Sequence, residues 1–307
     1  MKGRVFKSTG SWYGVETANG DIYQCRLRGK FKQAKLKVNN PIAVGDYVII
    51  DEASEEKGSA VVTEILPREN YIIRKSTRKT GFSHILASNI DQAVVIATIT
   101  FPRTSQGFID RFLVSAESFR IPAKVLINKK DIYEAKDIAK AEELLELYNS
   151  LGYESLLISA QDPNDIERIK TLTKGKTTLL SGHSGVGKST VMNALAPDLA
   201  LKTGEVSTFA NKGTHTTTFA EMFHIGEQTY LIDTPGIKEL GLVEMSDTEI
   251  SHYFPEMRAY LGECKFNNCK HLNEPGCQVL DAIEAGKIEV SRYLSYLSIL
   301  EDHDSHR

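Results

Sequence analysis

The first 66 residues read as a run of short strands. Two of them are Trp12-Tyr13-Gly14-Val15-Glu16-Thr17 and Ile22-Tyr23-Gln24-Cys25-Arg26-Leu27. The two runs flank Asn19-Gly20, a pair that favours a tight hairpin turn. Val44 to Ile50 and Ser59 to Leu66 supply two more strands, with the polar run from Asp51 to Gly58 as the loop between them. A small all-β barrel of about five strands fits this spacing, and the oligonucleotide-binding (OB) fold is one such barrel. Near residue 90 the period changes. Ile90 to Ala97 is, apart from Asp91 and Gln92, apolar and rich in β-branched residues, as a strand buried on both faces should be. After it come a helix (Gly107 to Phe119), a strand (Ala123 to Ile127), a long amphipathic helix (Ala135 to Leu151) and a strand (Leu156 to Ile158). A helix (Asp162 to Leu172), a strand (Thr177 to Leu180) and a helix start (Ser189 to Leu195) follow. This alternation predicts a parallel α/β sheet with helices on both faces, completed by strands at Phe219 to Ile225 and Tyr230 to Ile232. Beyond about residue 241 the pattern is helical. Val279, Ile283, Val290, Leu294 and Leu297 mark apolar faces, with a break at Gly286. The expected division is a barrel over residues 1–70, an α/β domain over 71–240 and a helical domain over 241–307.

No apolar stretch approaches the ~20 residues of a membrane span, and Met1-Lys2-Gly3-Arg4-Val5-Phe6 lacks the apolar core of a signal peptide. The expected compartment is the cytoplasm, with no membrane partner. The net charge of −3 says nothing about partners, but its distribution does. Residues 1–40 hold nine Lys and Arg against two acids, a balance of +7; residues 241–307 hold twelve acids against six Lys and Arg, a balance of −6. Arg26, Arg28, Lys30 and Lys32 interleave with Tyr23 and Phe31, which favours a nucleic-acid surface on the barrel. A scaffold barrel with a solvated basic face is the other reading.

Gly182-His183-Ser184-Gly185-Val186-Gly187-Lys188-Ser189 fits the phosphate-loop pattern G-x-x-x-x-G-K-[ST] at every fixed position. A strand precedes it and a helix follows, beginning with Ser189 and Thr190. Bound phosphate would then face backbone N–H groups at the helix N-terminus, with Lys188 as a point charge and the Ser189 hydroxyl on Mg²⁺. Asp233-Thr234-Pro235-Gly236 follows the strand Tyr230 to Ile232, where Asp233 would hold Mg²⁺ through water and the Gly236 amide would face the γ-phosphate. Asn128-Lys129-Lys130-Asp131 also sits at a strand end. A carboxylate such as Asp131 can accept from guanine N1–H and the exocyclic amine, a donor pair that adenine lacks, which disfavours an ATP enzyme. Lys129 could lay its stem over the base, and Ser159-Ala160 fits a short loop that adds a backbone amide to guanine O6.

Cys264, Cys269, His271 and Cys277 present three thiolates and an imidazole within fourteen residues. Such a set suits tetrahedral Zn²⁺, and with all four positions filled the site is structural. Reduced, buried cysteines in a small helical domain are the other reading. Cys25, far from the others in sequence, is expected to pack on a strand.

The base-reading segment precedes the phosphate loop, the reverse of Ras-like order. With the barrel, the metal cluster and Gly213-Thr214-His215-Thr216-Thr217-Thr218, this makes the chain similar over its whole length to the circularly permuted GTPases of the RsgA (YjeQ) type. The resemblance implies an OB-like barrel, a permuted P-loop GTPase domain and a zinc-binding helical domain. It also implies GTP hydrolysis stimulated by the small ribosomal subunit and acting late in that subunit's maturation, with rRNA as a contact and the chain acting as a monomer. It gives His215 a catalytic role beside Lys188. Thr216 and Thr217 are equal candidates for Mg²⁺ in a Thr-rich switch loop spanning residues 203–218. Ile237, directly after Gly236, cannot orient water, so slow turnover without a partner is expected. A nucleotide-gated RNA-binding module with incidental hydrolysis is the alternative function.

Overall fold

The computed structural model describes residues 1–28, 40–52, 58–74, 84–197, 220–234 and 245–305. Five strands, β1 (Lys2–Ser8), β2 (Tyr13–Thr17), β3 (Ile22–Leu27), β4 (Tyr47–Glu52) and β5 (Ser59–Ile65), close into a barrel. Closure is complete, because β1 pairs with both β2 and β4, β3 pairs with β2 and β5, and β5 pairs with β4. Val5, Tyr13, Val15, Cys25, Val48, Ile50 and Val62 fill its interior. Burial there pushes the Cys25 thiol up to about 11, as for a packed, inert cysteine.

A hairpin of β6 (Tyr71–Arg74) and β7 (His84–Ser88) follows; the sequence pattern had not indicated it. The α/β unit comprises β8 (Gln92–Ala97), α1 (Gln106–Ser118), β9 (Ala123–Ile127), α2 (Ala135–Ser150), β10 (Ser155–Leu157) and α3 (Pro163–Thr173). It continues through β11 (Thr177–Ser181), α4 (Lys188–Leu195), β12 (Glu221–His224) and β13 (Tyr230–Asp233). Strands β10, β9, β8, β11 and β13 are parallel neighbours. The expected parallel sheet needs one correction: β12 runs antiparallel to β13. Only the few residues 225–229 join these two strands, enough for a hairpin and too few for a crossover. Alternation along β8 explains the two helical layers. Ala93, Val95 and Ala97 pack with Ile109, Phe112 and Tyr148 of α1 and α2, while Val94 and Ile96 pack with Ile166, Ile169, Val191 and Met192 of α3 and α4.

Barrel and α/β sheet share one hydrogen-bonded sheet through β1 and β12. Arg4 of β1 is buried at this junction. Its guanidinium lies between the rings of Tyr47 (5.1 Å) and Tyr230 (4.6 Å) and donates to Asn89 O and Thr177 Oγ1.

The C-terminal unit is built on α5 (Pro255–Arg258), α6 (Gln278–Glu284) and α7 (Val290–Ser305). Its core of Phe254, Met257, Val279, Tyr296, Ile299 and Leu300 also takes Val114 from α1. Gly286 (φ +68°) breaks the chain between α6 and α7 as its position suggested. The apolar face expected at Val290 and Leu294 is not buried, since these two are 55% and 58% exposed. The inward face of α7 carries Arg292 instead, with Tyr296, Ile299 and Leu300, because the groove it fills holds the carboxylates Asp110 and Glu256. Among the described residues no helix is long and apolar enough to cross a membrane.

Candidate nucleotide site and metal centre

The segment after β11 turns sharply before α4 begins at Lys188. Its glycines are there for space. A Cβ on Gly187 (φ +95°) would stand 2.3 Å from Asn128 Nδ2, and one on Gly182 would stand 2.5 Å from Ile96 O. Lys188 leaves the first turn of α4 and pairs with Asp233 at the end of β13; the Thr234 hydroxyl donates to Leu180 O at 3.1 Å. Ser189 and Thr190 stand on the same first turn. The His183 ring lies tilted against that of Phe108 of α1 with ring centroids 3.8 Å apart, and Ser184, Gly185 and Val186 complete the turn.

Asn128 is 1% exposed and ties this turn to two others. Its amide nitrogen donates to Val186 O at 2.8 Å, and its amide oxygen accepts from the Ala160 N–H at 3.0 Å. Of the Ser159-Ala160 loop, expected to offer a backbone amide to a base, the Ala160 amide is thus engaged with Asn128. Lys129 adopts φ +73°, which turns the chain over the strand end. Its ammonium donates to Phe101 O at 2.5 Å. Asp131 accepts from the Ser159 hydroxyl at 2.5 Å and otherwise faces outward. Lys130 points away, to Asp165 (2.6 Å) and Asp162 (3.2 Å); the hydrogen bond to Asp165 leads in holding its ammonium above the usual lysine range. Asp165, 2% exposed, also accepts the Ser159 N–H at 2.8 Å. Sequence reasoning missed Asp165, an acid in the first turn of a helix with nothing local to mark it. A pocket of about 250 Å³ opens here, lined by Asn128, Lys129, Asp131, Ile132, Ala160, Gln161, Gly187 and Thr190. Strand ends 128–131 and 182–190 thus meet at the carboxyl edge of the parallel sheet, where α/β folds bind ligands. His215, Thr216, Thr217 and Gly236 lie outside the described residues, as do the switch loop 203–218 and the barrel's Lys30, Phe31 and Lys32.

In the C-terminal unit the ligand atoms of Cys264, Cys269, His271 and Cys277 lie within 4.8 Å of one another. His271 Nδ1 faces the sulfurs, 3.3 Å from Cys277 Sγ and 3.7 Å from Cys264 Sγ. Burial pushes the Cys269 thiol up to about 12, raises that of Cys277 and lowers the His271 imidazole. Three soft sulfurs and one nitrogen, shielded and convergent, fit a metal cation. Glu274 shapes the ligand loop. Burial alone would lift its carboxyl, but the N–H groups of Lys270, Leu272 and Asn273 hold it at about 2. Tyr293 donates to His271 O at 2.6 Å, fixing the histidine backbone at φ +55°.

Residues 65–243 match the RsgA GTPase family, and residues 2–60 match the RsgA N-terminal domain. The chain belongs to the RsgA GTPase family. It is 50% identical to the small ribosomal subunit biogenesis GTPase RsgA of Cytophaga hutchinsonii over 307 residues, covering all of both chains. Against the protein of that name from Bacteroides fragilis it is 49% identical over 304 residues, covering 99% of this chain and 97% of the relative. Its fold is similar to that of YjeQ from Thermotoga maritima, with a TM-score of 0.77, 34% identity, and 98% and 97% of the two chains covered. It is similar also to YloQ, a circularly permuted GTPase, with a TM-score of 0.75, 29% identity, and 100% and 96% covered. As an RsgA GTPase the chain is a GTP-hydrolysing enzyme with a closed OB-like barrel before a permuted GTPase unit. Permutation leaves the edge of the sheet intact: what matters is that strand ends 127, 181 and 233 converge, and their order in the chain does not alter that.

Proposed function

We propose that this protein hydrolyses GTP in step with late maturation of the small ribosomal subunit, and that the subunit accelerates the reaction. The reading rests on one observation above the others: Asn128 joins the phosphate-loop turn to the loop that carries Ser159 and Ala160, so both halves of a nucleotide grip are held in register. Asp131 accepts from N1–H and the exocyclic amine of guanine. Lys129 covers one face of the base with its stem. The N–H groups of residues 184–189 cradle phosphate, with Lys188 turning from Asp233 to the β- and γ-phosphates. Ser189, Asp233 and one of Thr216 or Thr217 would hold Mg²⁺, which neutralises charge on the phosphates when bound. His215 orients the attacking water. Zn²⁺ fits the three thiols and the imidazole best and would serve as a structural staple.

The barrel engages rRNA through basic and aromatic side chains. Arg26, whose guanidinium sits 4.0 Å over the half-exposed Trp12 ring, supports this reading. The protein acts as a cytoplasmic monomer. Residues 1–70, 71–240 and 241–307 serve as its RNA-binding, GTPase and zinc-binding parts.

Two measurements test this. Asp131→Asn should weaken GTP and gain xanthosine triphosphate, whose 2-oxo group needs a donor; unchanged guanine preference removes the base-reading assignment. GTP turnover should rise when purified small subunits are added; equal rates with and without them remove the partner.

A further inference from the structure

The β8–α1 connection, residues 98–105, is bound tightly to the nucleotide pocket, although nothing in its sequence marks it as part of a site. Its Phe101 adopts φ +49°, a left-handed conformation that bulky residues rarely hold, and its ring is 76% exposed. The conformation is over-determined by its surroundings. Thr98 Oγ1 donates to Pro102 O, Thr104 N–H donates to Thr98 O at 2.9 Å, and Thr98 N–H donates to Thr104 Oγ1 at 3.1 Å. Two contacts carry the turn to the pocket: the Lys129 ammonium donates to Phe101 O, and the Pro102 ring lies where a Cβ on Gly185 would be only 3.3 Å away. An outlier backbone held by several bonds beside a ligand pocket points to function. A large apolar ring kept in water there has no packing role.

We infer that Phe101 is a nucleotide-contacting residue. Its ring closes on the ribose and on the purine edge nearest the Lys129 ammonium, as the aromatic partner that the pocket wall lacks. Among the described residues lining the pocket none is aromatic, and Lys129, Ile132 and Gln161 are the long ones. The inference rests on the guanine-nucleotide reading of this pocket. It adds a wall from a different strand end, β8, to those from β9 and β11. Burying the exposed ring on a sugar and a base gives affinity without sequence-like selectivity, because any purine offers the same face. Phe101 therefore contributes grip, and Asp131 contributes the choice of base.

The test is GDP binding by calorimetry on the full-length protein. Phe101→Ala should weaken GDP by about five- to twentyfold, in the lower part of the range for losing one aromatic–base contact, with an unchanged melting temperature for the free protein. Phe101→Gly separates ring from backbone, since glycine adopts the positive φ freely. It should be as weak as Phe101→Ala, and recovery of wild-type affinity would overturn the inference. Phe101→Trp in a Trp12→Phe background should bind GDP as wild type does and change its fluorescence in parallel with calorimetric saturation. Wild-type affinity in Phe101→Ala, or a tryptophan signal blind to saturating GDP, would also overturn it while leaving the base reading intact. Failure of the wild type to bind GDP would instead remove the pocket reading and this inference with it.

Discussion

Replacing Arg292 by methionine should loosen the C-terminal unit from the GTPase unit. Arg292 is fully buried, donates to Asp110 at 2.6 Å and to Glu256 at 2.7 Å, and covers the Phe254 ring at 4.7 Å. Methionine keeps much of the packing but leaves two carboxylates, Asp110 at 0% and Glu256 at 6% side-chain exposure, without their cation. Breaking such a buried pair from one side costs about 3–5 kcal/mol, mainly as an orphaned charge. Hydrogen exchange of α7 amides that open with this unit should quicken by roughly two to nearly four powers of ten.

The pH dependence fixes the cause. Burial already lifts the Asp110 carboxyl above the usual carboxylate range, against the pull of Arg292 and the hydrogen bonds of Ser295, Arg292 and Tyr148. A raised carboxyl loses stability as pH climbs from its unfolded value, about 3.9, through its folded one. Without Arg292 it is lifted further, so the cost of the variant should grow as pH climbs past the already raised wild-type value and shrink towards acid. Asp110→Asn in the same background should recover part of the loss, because an amide carries no charge to strand. A cost below about 1 kcal/mol, the level of an exposed pair, or one that did not shrink towards acid, would refute the reasoning.

Asn128→Ala leaves Val186 O and the Ala160 N–H unpaired in a buried setting. At about 1–3 kcal/mol for each orphaned partner, GDP affinity should fall by about tenfold or more, read by calorimetry; a change under about twofold would mean that the two loops hold register without it. The purified protein should carry one zinc per chain by elemental analysis. Chelation should expose Cys264, Cys269 and Cys277 to a thiol reagent while Cys25 stays protected in the barrel. Because burial keeps the Cys269 thiol protonated up to about 12, metal binding must displace protons, and acid should release the metal. Release that does not depend on pH would count against thiolate ligation.

The phosphate-loop segment, Asn128 to Asp131 and the cysteine cluster were legible because each is a local pattern whose chemistry requires those residue types at that spacing. The α/β alternation was legible for the same reason, since period and turn residues are properties of short windows. Other features were hidden. Tyr71–Arg74 and His84–Ser88 make a hairpin with no tight-turn signal. Val290 and Leu294 carry helical spacing yet face water, because a buried cation on the same helix met carboxylates from two other segments.

Short-range order in the chain was enough to bring out the phosphate-loop pattern, the cysteine–histidine cluster and most strands, since hydrophobic period and backbone geometry act over a few residues. Only the tertiary structure determined that Asn128 braces two loops, that Asp165 holds Ser159, that Arg4 locks barrel to sheet, and that the Phe101 carbonyl takes the Lys129 ammonium. Each of those depends on partners tens of residues apart, brought together by burial and sheet topology, to which a local window is blind.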